Sequence, residues 1–213
     1  MTPPRPTARR IDPEPLPAAR LGELPDVPRI TATLTLASAT VRWTRWALPE
    51  DGRVQRLTRW HELAAHRAVS TRTAWVSDEV ASVALWRPPD GAEGTTPLPS
   101  DVRAALDREL PHLSDTRARI VADTDALVAE HLPAESWQLL HLATRPTARR
   151  QGLAASVLAP ALARCDSDGV PAVAVAYSWA AVAYLRGSGF EVTADLQTAD
   201  GAMPVWVVTR APR

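Results

Sequence analysis

The residues Arg149-Arg150-Gln151-Gly152-Leu153-Ala154 stand between an apolar run, Trp137 to Thr144, and an amphipathic one, Leu153 to Cys165. A strand that turns into a helix through Gly and Ala presents free backbone N–H groups at the helix N-terminus. With the positive end of the helix dipole, such donors hold a phosphate or pyrophosphate. Gly152 lets the backbone approach an anion closely, Ala154 offers almost no side chain to obstruct it, and Arg149 and Arg150 add charge. His141 is the one titratable group in the run before the turn. Strand alternation puts it on one face with Leu139 and Ala143. It reads either as a general base working near neutral pH or as a hydrogen-bonded core histidine. Cys165 lies at the far end of the helix from the turn and reads as a small buried residue, not a nucleophile. The His, Cys and Asp residues do not fall at metal-ligand spacing, so no metal is expected.

These groups need a frame to position them. A chain of 213 residues is long enough for one domain with a substantial core. Its 24 basic and 24 acidic residues cancel, which argues against nucleic acid as a partner and against an acidic tail. Lysine and asparagine are absent, a bias that reflects GC-rich coding and leaves arginine counts with little functional meaning. One cysteine excludes an internal disulfide and fits a reducing cytoplasm. Residues 1–18 hold prolines and arginines where a signal peptide would be apolar, and they read as a flexible tail. The longest apolar stretch, Val170 to Leu185, is too short for a membrane span. A soluble cytoplasmic protein, monomer or homodimer, is expected.

From Ala19 the pattern changes. A strand over Ala19–Glu23 is followed by a helix starting at Pro25-Asp26 and running through Ile30, Leu34 and Ala37, although its threonines disfavour helix. Arg53 to Val69 has helical spacing, and Thr73–Ser77 with Val80–Trp86 reads as a hairpin around Ser77-Asp78-Glu79. After a Pro/Gly loop, serine caps open helices at Ser100–Leu110 and Ser114–His131. The strand Trp137–Thr144, the helix Leu153–Cys165 and the strand Pro171–Tyr177 come next. A short helix to Arg186 and strands at Phe190–Leu196 and Pro204–Thr209 complete the order. The sum is one α/β domain, a mixed central sheet flanked by helices, with the anion-binding turn after its central strand.

The turn fits [Arg/Gln]-x-x-Gly-x-[Gly/Ala], Thr144-Arg145-Pro146 stands where a Val-x-Pro ends the preceding strand, and Gly189-Phe190 follows the last short helix. In these features the chain resembles the GNAT family of N-acetyltransferases. Gly169-Val170-Pro171-Ala172 and Gly189 to Asp195 are most similar to puromycin N-acetyltransferases of actinobacteria. The resemblance spans residues 19–213 and implies a single GNAT-type domain whose strands Trp137–Thr144 and Pro171–Tyr177 splay apart. It implies acetyl-CoA or another acyl-CoA as co-substrate. The pyrophosphate would be held by Arg149, Arg150, Gln151, Gly152, Leu153, Ala154 and Ala155, and the pantetheine arm would pair along Leu142, Ala143 and Thr144. Trp43, Trp46 and Trp60 fall in the segment that forms the acceptor pocket in the family; core packing competes with that reading for Trp60, on the apolar helix face, and less so for Trp43 and Trp46 in a polar stretch. His61-Glu62 adjoins them and reads as a solvated helix face, with orientation of an acceptor as the alternative.

The proton-transfer half of the pattern departs from the family. Its usual tyrosine acid falls on Leu185, and the neighbouring Tyr184 would point elsewhere unless the helix shifts by one residue. Val175 and Ala181 stand where puromycin-type relatives carry glutamate and asparagine. With His141 and Tyr184 as the candidate base and acid, three functions stay open. One is direct acyl transfer to a small-molecule amine in a ternary complex. Another is condensation, cyclisation or hydrolysis of an acyl thioester, and the third a non-catalytic CoA-binding module.

Overall fold

The computed structural model describes residues 16–213; the part of the N-terminal tail at 1–15 lies outside the described residues. Seven strands form one sheet in the order β1-β2-β3-β4-β5-β7-β6. They are β1 (Ala19–Leu21), β2 (Ala74–Ser77), β3 (Ser82–Arg87), β4 (Trp137–Thr144), β5 (Ala172–Ala176), β6 (Glu191–Gln197) and β7 (Pro204–Arg210). All neighbours are antiparallel except β4 and β5, whose parallel pairing needs the crossover helix that follows the anion-binding turn.

One face of the sheet carries α1 (Val27–Ser38), α2 (Arg42–Ala47), α3 (Arg53–Ser70), α4 (Ser100–Ser114) and α5 (Ala118–Ala129); the other carries α6 (Leu153–Asp168) and α7 (Trp179–Gly187). Strand alternation divides the core accordingly. Ala84, Trp86, Ala172 and Ala174 pack beneath α6 and α7, while Val83 and Leu85 pack against α1 and α3.

The threonines of α1 explain why it is a helix despite weak propensity. Thr33 donates to the Val80 carbonyl at 2.6 Å and accepts from Arg145 Nε at 2.9 Å, tying α1 to the β2–β3 turn and to the residue after β4. Tertiary hydrogen bonds thus outweigh the intrinsic preference. Val80 itself is fully buried with φ +54, which delays the start of β3 to Ser82. The expected serine caps do not form: neither Ser100 nor Ser114 makes a side-chain cap hydrogen bond, and α4 runs through Pro111 to Ser114. A 3-10 turn at Asp115–Arg117 then precedes α5. The short helix α2 has too few residues to show periodicity in the sequence.

β4 carries an irregularity that alternation cannot reveal. Leu85 pairs with His141 and Trp86 with Leu139, so Leu140 is an extra, unpaired residue. Such a bulge inverts the facing of everything beyond it. Leu139 therefore packs under α6, whereas Ala143 packs against α1 and α3. The expectation that His141 shares a face with both Leu139 and Ala143 is corrected: it turns with Ala143 toward α3, where its ring meets His61.

Candidate active site

β4 and β5 pair only at Trp137↔Ala172, Gln138↔Val173 and Leu139↔Ala174. Beyond the bulge the strands part, and β4 runs on to Thr144 without a partner on its β5 side. The gap opens into a cavity of about 730 Å³ that passes through the sheet. Its α6 end is lined by Arg149, Arg150 and the first residues of that helix; its far end, on the α1–α3 face, is lined by Leu34, Val41, Trp43 and His61.

At the α6 end, Arg150 and Gly152 both have left-handed backbones, φ +64 and φ +73. Glycine adopts this conformation freely, whereas Arg150 does so at a cost of about 1 kcal/mol or more. The fold spends that strain on a concave turn into α6. The first hydrogen bond into the helix comes from the Ser156 N–H to Gly152 O at 3.0 Å, and the N–H groups of Leu153, Ala154 and Ala155 have no acceptor among the described residues. Three aligned donors, a helix dipole and two exposed arginines suit a pyrophosphate. Leu142, Ala143, Thr144 and Gly152 through Ala155 all line the cavity, whereas Gln151 is exposed and does not. Pro17 lies close outside the turn, 3.4 Å from where a Cβ on Gly152 would sit.

The far end holds the titratable groups. His141 lines the cavity, and desolvation pushes its imidazolium down to about 4. His61, 3% exposed, stands with its ring at 88° to that of His141 and 5.5 Å away; burial, then the His141 charge, lowers it to about 3. Both rings are neutral at pH 7. Tyr177, at the end of β5, is held protonated by burial and packs 5.8 Å from Trp43. Tyr184 lines the cavity from α7, as does Leu185, so the expectation that Tyr184 points elsewhere is corrected. Its side chain sits at the rim, 40% exposed, while Leu185 is buried in the core. Desolvation raises the Tyr184 phenol.

The three tryptophans separate. Trp43 lines the cavity, and Trp60 stands behind it edge-on at 5.3 Å without reaching the cavity. Trp46 is buried in the core, its indole N–H donating to Asp200 at 3.0 and 3.2 Å. Asp200 also takes hydrogen bonds from Thr198 and Arg117, which hold its carboxyl down at about 2. Cys165 is buried beneath the sheet, its thiol pushed up to about 12 by desolvation. Among the described residues no three His, Cys, Asp or Glu side chains gather as a metal site, and no helix is long and apolar enough to cross a membrane.

Tyr177 is a cavity residue that the sequence did not single out, and the expectation of a solvated helix face at His61 is corrected, since that side chain is buried and lines the cavity. His61 sits on the apolar face of α3 in step with Leu57, which is a detectable signal. Tyr177 has only its position at the end of the strand that splays from β4.

No protein-family profile matches the chain. Its architecture, however, is shared with solved acetyltransferases. A histone acetyltransferase and related acetyltransferase of Corynebacterium glutamicum is similar at a TM-score of 0.65 and 21% identity, over 93% of this chain and 97% of that one. The C-terminal condensation domain of Ebony, solved with β-alanyl-dopamine, gives 0.61 at 10% identity over 91% and 97%. The polyamine N-acetyltransferase of Drosophila melanogaster, which forms N-acetylagmatine, gives 0.57 at 14% identity over 91% and 99%. At such identities the likeness establishes the fold: this is the GNAT acetyltransferase architecture.

Proposed function

We propose that the protein is an acyl-CoA-dependent N-acyltransferase that transfers an acyl group, acetyl in the first instance, directly to a small-molecule amine. One observation carries the reading: a single cavity joins an anion-binding helix N-terminus, through the parted strands, to a neutral histidine. Acyl-CoA supplies the activated thioester, and the residues present fit it. The N–H groups of Leu153, Ala154 and Ala155 with Arg149 and Arg150 hold the pyrophosphate, and the unpaired side of β4 from Leu142 to Thr144 takes the pantetheine amides.

The backbone N–H groups of β4 beyond the bulge polarise the thioester carbonyl. The amine lone pair forms the new C–N bond, and His141 accepts the amine proton that this attack releases. When the C–S bond breaks, Tyr184 donates a proton to the leaving sulfur and is reprotonated from solvent at the rim. The products are amide and free thiol, with no covalent intermediate on the enzyme. A neutral imidazole at His141 has a lone pair to offer at pH 7, and the burial that lowers it to about 4 weakens it as a base until substrate enters.

The test is thiol release from acetyl-CoA with a panel of primary amines, followed by mass spectrometry of the products. Amine-dependent release with a gain of one acetyl group supports the proposal, and His141→Gln lowers kcat by about 10²-fold or more. CoA binding without release for any amine sinks it. A second reading draws on the Ebony likeness, since that condensation domain has the same fold. If thiol release gives a condensed or hydrolysed product instead of an acetylated amine, that reading holds.

A further inference from the structure

The far end of the cavity carries no formal charge at rest at pH 7: its histidines are neutral and no carboxylate lines it among the described residues. Ser38 donates its hydroxyl hydrogen to the Leu34 carbonyl at 2.5 Å, so at its 3.4 Å contact with His61 Nε2 the hydroxyl can only accept. On the other side of the ring, Thr35 Oγ1 stands 3.0 Å from Nδ1. Both nitrogens of His61 are engaged by α1 with the ring neutral.

Around this ring the walls are Leu34 and Ala37 from α1 and Val41 before α2, with Trp43 and Tyr177. The indole of Trp43 is fixed by Trp60 edge-on at 5.3 Å and by Tyr177, tilted 46°, at 5.8 Å. A rigid aromatic surface of this kind takes a flat apolar group by stacking and by area burial. Among the described residues no carboxylate lines the cavity. Asp125, whose field reaches Tyr177, lies on α5 and shares it with Arg87; Arg145 is engaged by Thr33. An ammonium or guanidinium group brought to this end would lose its hydration with no anion to replace it.

Resting on the acyl-transfer reading above, we infer that the acceptor is a primary amine carried on a flat aromatic or apolar body. It binds as the free base between Trp43, Tyr177 and α1, and polycationic amines are rejected. Trp43 is the specificity-determining side chain.

A matched pair of amines tests this. Agmatine and phenylbutylamine share the same alkylamine arm and differ in ending on a guanidinium or a phenyl ring. We expect phenylbutylamine to exceed agmatine in kcat/KM by about 100-fold or more, as an unpaired buried charge demands. The kcat/KM for phenylbutylamine should rise tenfold per pH unit below the pKa of the amine, as free-base binding requires. Trp43→Ala should raise KM for phenylbutylamine about tenfold, the scale of one aromatic contact, and leave agmatine unchanged. Equal or better use of agmatine, or an equal loss for both amines in Trp43→Ala, overturns the inference. Calorimetric binding of the two amines to the CoA-loaded protein runs in parallel. If neither amine releases thiol, the acyl-transfer reading fails, and the binding ranking still decides the acceptor chemistry.

Discussion

His61 and His141 should make the protein acid-sensitive in a defined window. An unfolded chain protonates both near pH 6.5, whereas the folded chain holds them neutral down to about 3 and about 4. Between those limits the unfolded state binds more protons, so stability falls as pH falls. The contribution is fully present above pH 6.5 and is lost progressively below it. At about pH 5.5, one unit below the unfolded value, each histidine costs about 1.4 kcal/mol relative to pH 8, or about 3 kcal/mol together. That is a large share of a typical domain's stability of about 5–15 kcal/mol. With a urea slope of about 2–3 kcal/mol/M, the unfolding midpoint should drop by about 1 M between the two pH values. His61→Gln and His141→Gln should each halve the drop, and the double variant should abolish it. The Asp125 carboxyl, raised by desolvation, works in the opposite sense on acidification, and an Asp125→Asn background removes it. Equal midpoints at both pH values in the wild type, or a full drop in the double variant, would refute the claim that the fold holds both rings neutral.

Three further outcomes follow from the same geometry. Gly152→Val places a branched side chain at φ +73 and a Cβ 3.4 Å from Pro17, so CoA-induced thermal stabilisation should vanish while the melting temperature without CoA shifts by only a few degrees. Tyr184→Phe should lower kcat without changing the KM for acyl-CoA, and should remove the alkaline limb of the kcat–pH profile if the phenol is the acid. Trp46→Phe loses the indole bonds to Asp200 and should cost about 1–3 kcal/mol in urea denaturation, leaving acceptor KM unchanged because Trp46 lies off the cavity.

The turn, its strand and its helix were legible because each rests on local rules: an apolar run, a glycine where a positive φ is needed, an amphipathic stretch after it. β4 at Trp137–Thr144 and the start of α6 at Leu153 match their sequence bounds for that reason. What was not legible was non-local. Leu140 looks like any other apolar strand residue, and only the register with β3 shows it to be supernumerary. The active-site geometry depends on that one residue. Without the bulge, residues from His141 onward would exchange faces, and His141 would turn away from His61 and α3 toward α6. The same holds for the tryptophans, where composition cannot tell Trp43 from Trp46. Three residues apart on α2, one faces the cavity and the other an aspartate from the β6–β7 turn. The cofactor end is therefore written in consecutive residues, while the acceptor end is assembled from α1, α2, α3, β4 and β5. Its chemistry lies in contacts such as His61 edge-on to His141 and Trp43 against Tyr177, which join elements far apart in the sequence.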